Sequence, residues 1–161
     1  KLANDETGIL IPSKDTFTFL TVNNKGGEKN KIALSIPKTG GQNGVQPSSS
    51  IIKDNNNTLC FVTTAKGMTG GNVGIAIAKI TDGKEDWAKT YTNEDLVNKS
   101  VLPIKTKLKL KKFKMPYIES VEKLENGSYI AKLKLTKNAA KGPEKVFLLV
   151  HFTNNGDLMA T

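Results

Sequence analysis

Asn57-Thr58-Leu59-Cys60-Phe61-Val62-Thr63-Thr64 carries the plainest strand pattern in the chain. It is short, rich in β-branched and aromatic residues, and bounded by asparagines before it and by Lys66-Gly67 after it, which is how a strand between turns reads. Leu59 to Val62 is apolar at successive positions, so both faces of this strand are expected to be covered. The same rhythm repeats outward from it. Thr16 to Val22, Lys31 to Ile36 and Asn72 to Thr81 read as strands in the first half, separated by Gly26-Gly27, Gly40-Gly41, Asn43-Gly44 and Gly70-Gly71. In the second half Ile104 to Lys114, Tyr117 to Leu124, Ser128 to Thr136 and Lys145 to Thr153 follow suit. Asn126-Gly127 has the left-handed tolerance of a type I′ hairpin turn. Helical periodicity is nearly absent, with one short helical turn allowed at Asn93 to Asn98. An all-β chain of antiparallel sandwiches follows. Its 161 residues have room for two small ones in tandem, 1–82 and 83–161, meeting in the polar segment Thr81 to Ser100 that holds Trp87.

Val146 to Val150 is a second run of successive apolar residues and is expected, like Leu59 to Val62, to be a central strand. Ile104, Thr106, Leu108 and Leu110 alternate with Lys105, Lys107, Lys109 and Lys111, which on a strand turns one face inward and four ammonium groups outward. Lys111-Lys112 then breaks the phase before Phe113, where a bulge or bend is expected. Lys132 and Lys134 lie opposite Tyr129, Ala131, Leu133 and Leu135 in the same way. Were these two strands neighbours, six lysines would crowd one sheet surface and repel one another unless acids or an anionic ligand intervened. The competing reading is that the lysines guard the sheet against aggregation.

The net charge is +9, and all the basic residues are lysines. Sequence-specific readers of nucleic acid favour the bidentate guanidinium fork, so a total lack of arginine argues against that class. Diffuse attraction to anionic glycans or lipopolysaccharide needs only summed positive charge and stays open. No segment has the roughly 18 consecutive apolar residues of a membrane helix, and Lys1 to Gly8 contain no apolar core of a secretory signal.

Catalysis needs convergent titratable groups, and the chain has one histidine and one cysteine. A dyad of Cys60 and His151 is conceivable, but both fall within strands, so a buried inert thiol and a satisfied strand histidine are the expectation. Two such residues do not make a zinc site. Asp82-Gly83-Lys84-Glu85-Asp86 and Asn93-Glu94-Asp95 gather oxygen ligands without the spacing of a calcium loop, and Gly40 to Gly44 lacks the lysine and threonine of a phosphate loop. Sequons at Asn56, Asn98 and Asn126 fall in turns, as chance matches in an asparagine-rich chain would. Neither catalytic residues, nor a metal, nor a cofactor is expected.

The first half resembles the bacterial immunoglobulin-like domains strung in tandem in intimin and invasin adhesins. The likeness lies in Thr21-Val22-Asn23-Asn24-Lys25-Gly26-Gly27 leading into Ile32 to Ile36, in Asp54 to Asn57 leading into Thr58 to Thr64, and in Lys66-Gly67 through Gly71 to Ile77. A fainter echo runs through Glu125 to Leu133. The resemblance implies immunoglobulin-like sandwiches in a non-enzymatic adhesion or binding module, secreted or on a bacterial surface outside the cytoplasm. Its partner would be a host or cell-surface glycan or protein, with Lys105, Lys107, Lys109, Lys111, Lys132 and Lys134 as the anion-binding candidates. The alternative is a structural or assembly subunit of a surface appendage or envelope complex.

Overall fold

The period of two carries through to the architecture. The structure, a computed structural model, describes residues 6–12, 16–37, 48–54, 56–66, 71–100, 102–110, 113–137 and 144–160. Among them are ten strands and two short helices. An amino-terminal sheet pairs β1 (Thr7–Pro12), β2 (Thr16–Val22) and β3 (Glu28–Pro37) in that order. The middle sheet runs β4 (Ser49–Asp54), β5 (Asn57–Lys66), β6 (Gly71–Thr81), β7 (Lys84–Thr92). After α1 (Asn93–Lys99) and α2 (Ile104–Leu110), β8 (Lys114–Lys123), β9 (Tyr129–Lys137) and β10 (Glu144–Phe152) form a carboxyl-terminal sheet with β9 in the centre. Every pairing is antiparallel between sequence neighbours, so each sheet is a meander. The all-β sandwich class expected from the sequence is the one observed.

The sandwich interfaces lie on opposite faces of the middle sheet. Cys60 faces Ala78 across the strands and Val62 faces Ala76, and these small residues meet the larger Phe17, Phe19, Leu34 and Ile36 of the amino-terminal sheet. On the other face Leu59, Phe61, Ile75 and Ile77 pack with Ala131, Leu133 and Leu135 of β9, Leu148, Val150 and Phe152 of β10, and Leu96 and Val97 of α1. Small against large on one side and mixed sizes on the other let both layers interdigitate. Burial of Leu59 to Val62 on both faces is as expected for a central strand. The 82/83 boundary anticipated between tandem sandwiches falls in the β6–β7 turn of this shared sheet, where Thr81 pairs with Lys84.

Four other expectations are corrected. Ile104 to Leu110 is helical, not extended: lysine and leucine lose little freedom in a helix, and the Pro103 carbonyl accepts from Thr106 N (2.9 Å) and Lys107 N (3.0 Å). Only Leu110 of this helix is buried, and Leu108 points into solvent. The bend expected at Lys111-Lys112 lies outside the described residues, as do the connections at Gly40-Gly41 and Asn43-Gly44. Secondly, Val146 to Val150 belongs to an edge strand: Leu148 and Val150 point inward while Phe147 and Leu149 are 54% and 58% exposed. Thirdly, Thr81 to Ser100 is no junction but strand β7 followed by α1, whose Thr92 and Asp95 close a capping box. Trp87, Lys89 and Tyr91 do not read as strand residues in the sequence because charged neighbours interrupt them.

The fourth correction concerns turn chemistry. The two-residue turn with positive φ at both centres, the type I′ form, is Asp82-Gly83 (φ 48° and 77°). Asn126-Gly127 belongs instead to a five-residue turn in which only the glycine is left-handed (φ 81°): Gly127 N donates to Leu124 O and Leu124 N to Ser128 O. Asn23 to Gly27 and Thr153 to Asp157 repeat this bonding with Gly26 and Gly156, a type I turn closed by a glycine bulge.

Candidate functional site

One face of β9 is core, and the other carries Ile130, Lys132, Lys134 and Thr136, as the alternation in the sequence requires. The registers of β8 and β10 set neighbours beside each. Tyr117 and Phe147 flank Lys134 in one row, Ser120 and Leu149 flank Lys132 in the next, and Glu122 and His151 flank Ile130 in the third. The register shift between Ile118 and Ser120 brings Glu119 to the same side, where it pairs with Lys134 at 3.0 Å. Each lysine also lies over a ring: Lys134 Nζ is 4.7 Å from the Tyr117 centroid and Lys132 Nζ 4.7 Å from that of Phe147. Tyr117, Phe147 and Leu149 are each half or more exposed, so this outer face combines apolar area with ammonium groups. Tyr117 and Phe147 stand two strand spacings apart, about 10 Å.

The six candidate lysines do not share this surface. Lys105, Lys107 and Lys109 ride on α2; Lys107 Nζ donates to the Asn98 carbonyl at 2.8 Å, and Lys109 reaches Glu144 at 3.5 Å. Lys111 lies outside the described residues. Lys132 and Lys134 are the two that the sheet presents outward, and Glu119 and the rings relieve the repulsion that a bare lysine face would suffer. The aromatic component was hidden in the sequence because Phe147 and Leu149 read as core.

Neither the Cys60 and His151 dyad nor the two acidic segments converge. Cys60 is buried between the amino-terminal and middle sheets, where burial pushes its thiol up to about 12, and His151 is on the outer face of β10. His151 Nε2 instead meets Ser128 Oγ at 2.7 Å. Asn126 Oδ1 accepts from both the backbone N (3.0 Å) and Oγ (2.6 Å) of Ser128, so the serine ties the β8–β9 turn to β10. Glu85 accepts from Ser35 N at 2.6 Å, Asp86 pairs with Lys79 at 3.4 Å, and Asp95 caps α1. Among the described residues no three His, Cys, Asp or Glu side chains gather as metal ligands would.

No family model and no curated protein matches the chain. A solved structure of a GH43 β-1,3-galactosidase with galactodeoxynojirimycin is similar at 14% identity and a TM-score of 0.42, over 89% of this chain and 37% of that one. The chain thus spans 37% of that enzyme's length. No helix among the described residues is long and apolar enough to cross a membrane.

The outer face sets apolar rings beside ammonium groups. Its rings offer flat apolar surfaces and its lysines offer point charges held beside them, each cation–ring contact contributing about 0.5–1 kcal/mol at an exposed site.

Proposed function

We propose that this chain is a non-enzymatic binding module of a secreted or surface-displayed bacterial protein, acting outside the cytoplasm, and that the outer face of its carboxyl-terminal sheet engages an anionic glycan. The observation that carries this reading is the row Tyr117, Lys134, Phe147 with Lys132 and Leu149 beside it. A uronate or sulfated sugar presents C–H faces that stack on rings and an anionic group that a lysine attracts, so both components of the face find a match. The chain's net charge of +9 adds long-range steering toward such a polymer. Because the charges lie at the surface within reach of solvent ions, binding should weaken with salt. Immobilised heparin and polygalacturonate should retain the protein at low salt. Lys132→Gln with Lys134→Gln, and separately Phe147→Ala, should each lower affinity by about 5- to 10-fold, as the loss of contacts of this size predicts. Retention unchanged by salt and by these substitutions would reject the face as the site.

The assembly-subunit reading has its own support. Among the described residues β10 pairs with β9 on one side and on the other only near its end, through the Phe152 and Leu158 bridge and the bond from Met159 N to His151 O at 2.8 Å. An edge strand with outward Phe147 and Leu149 suits addition of a partner's strand. Sedimentation across a wide concentration range decides it: a monomer throughout would dismiss self-assembly through β10.

A further inference from the structure

On the opposite side of the middle sheet from that face, the amino-terminal and middle sheets part at one end around a cleft of about 380 Å3. The volume lies within the range of about 300–1,000 Å3 common to small-ligand sites. The two sheets contribute matching walls. Phe19 and Ile32 are cross-strand partners on β2 and β3, and Thr58 and Ile80 are partners on β5 and β6. The rim is polar: Glu6, Lys29 and Asn30 from the amino-terminal sheet and its approach, Lys53 from β4, and Asn56 and Asp82 from turns of the middle sheet. Lys29 donates to the Glu6 carboxylate, and that bond, with the charge of Lys53 adding to it, holds Glu6 below the usual carboxylate range. Asn30 Nδ2 reaches across to the Gly83 carbonyl at 3.4 Å and joins the two sides.

We infer that this cleft binds an uncharged sugar of one or two rings. Two lysines and two carboxylates balance on the rim, which sets the cleft apart from a chain carrying a surplus of nine positive charges. An anion would have to compete with Glu6 for Lys29, and a cation would meet two lysines. A wholly apolar ligand would strip water from the amides and charged groups without replacing its hydrogen bonds. A pyranose satisfies both parts. Its C–H face lies over Ile32, with the buried Phe19 and Ile80 forming the floor beneath, and its hydroxyls accept from Lys29, Lys53 and Asn56 while donating to Glu6 and Asp82. This inference stands apart from the anionic-glycan reading, since no residue is shared between the two sites.

Titration of the 15N-labelled full chain with galactose, N-acetylglucosamine and lactose, followed by amide chemical shifts, tests it, with glucuronate and inorganic phosphate as charged comparisons. At least one neutral sugar should shift the amides of Asn30, Lys53, Asn56 and Gly83 and saturate with a Kd on the order of 1 mM. Asn56→Ala, by removing a hydrogen-bond partner, and Glu6→Gln, by replacing a charged acceptor with a neutral one, should each weaken that response about 5-fold or more with the remaining spectrum unchanged. Lys132→Gln with Lys134→Gln should titrate as the parent does. The inference is overturned if no neutral sugar moves the cleft amides, if glucuronate or phosphate moves them more strongly, or if the lysine substitutions on the outer face abolish the sugar response.

Discussion

Cys60 is a thiol enclosed by the side chains of two sheets, and its raised ionisation is a stability statement. Its proton leaves near pH 9.0 in the unfolded chain but near 12 in the folded one, because burial penalises the thiolate. The folded state thus keeps a proton that the unfolded state loses. Stability from this source is complete below about pH 9 and is lost as pH rises toward 12, by on the order of 4 kcal/mol. Urea unfolding repeated at increasing pH should reveal this loss, and Cys60→Ala should flatten the slope while costing stability near neutrality. In the native protein a thiol reagent should react only through unfolding. Gly156 is the other residue whose environment dictates an outcome. It has φ 75°, and a Cβ there would fall 2.3 Å from Trp87 Cη2, whereas at Gly127, with φ 81°, a Cβ meets nothing within 4 Å. Gly127→Ala should therefore cost only the left-handed strain of about 1–2 kcal/mol. Gly156→Ala should cost clearly more, since it also displaces the turn that Tyr91 Oη anchors by donating to the Gly156 carbonyl at 2.8 Å. Denaturant midpoints of the two variants measure the difference.

At the level of elements, α2 and β10 mark where periodicity in the sequence has two solutions. Ile104 to Leu110 alternates as a strand would, yet as a helix it buries Leu110 and leaves Leu108 57% exposed. Leu110→Ala should cost about 2–5 kcal/mol and Leu108→Ala close to nothing, whereas a strand would make both costly. The same contrast applies to Leu148→Ala against Leu149→Ala on β10, read by thermal or urea unfolding. The strands with β-branched residues between glycine or asparagine turns were legible: β2 has the expected ends, and β3, β5, β6, β9 and β10 differ by a few residues. β7 was not, because Lys84, Glu85 and Asp86 hide the alternation of Trp87, Lys89 and Tyr91 that faces the carboxyl-terminal turn. Half of the candidate site was legible in the same sense. Lys132 and Lys134 follow from alternation along one strand, but their ring partners Tyr117 and Phe147 depend on cross-strand register, which no single segment encodes.

For the whole molecule the deciding feature is that one sheet serves two cores. Leu59 and Phe61 belong to the core shared with the carboxyl-terminal sheet, and Cys60 and Val62 to the core shared with the amino-terminal one. The alternation along β5 indicates that both faces are covered; what covers each is set by chain segments on either side of it, and the division 1–82 and 83–161 passes through the shared middle sheet between β6 and β7. A fragment ending at Asp82 would expose Phe61, Ile75 and Ile77, and a fragment beginning at Gly83 would lose those same side chains from beneath Leu133, Leu148 and Phe152. Each half would thus forfeit a large buried apolar area, at roughly 25 cal/mol per Å2. Unfolding should be a single cooperative transition, and neither 1–82 nor 83–161 should fold alone. Trp87, on β7 and in contact with the carboxyl-terminal core, gives a fluorescence probe of one interface, while circular dichroism follows strands throughout. Coincident denaturation curves from the two probes are expected. Separated curves, or a cooperative melt of either fragment, would mean that each core sustains itself and that the middle sheet couples them only weakly.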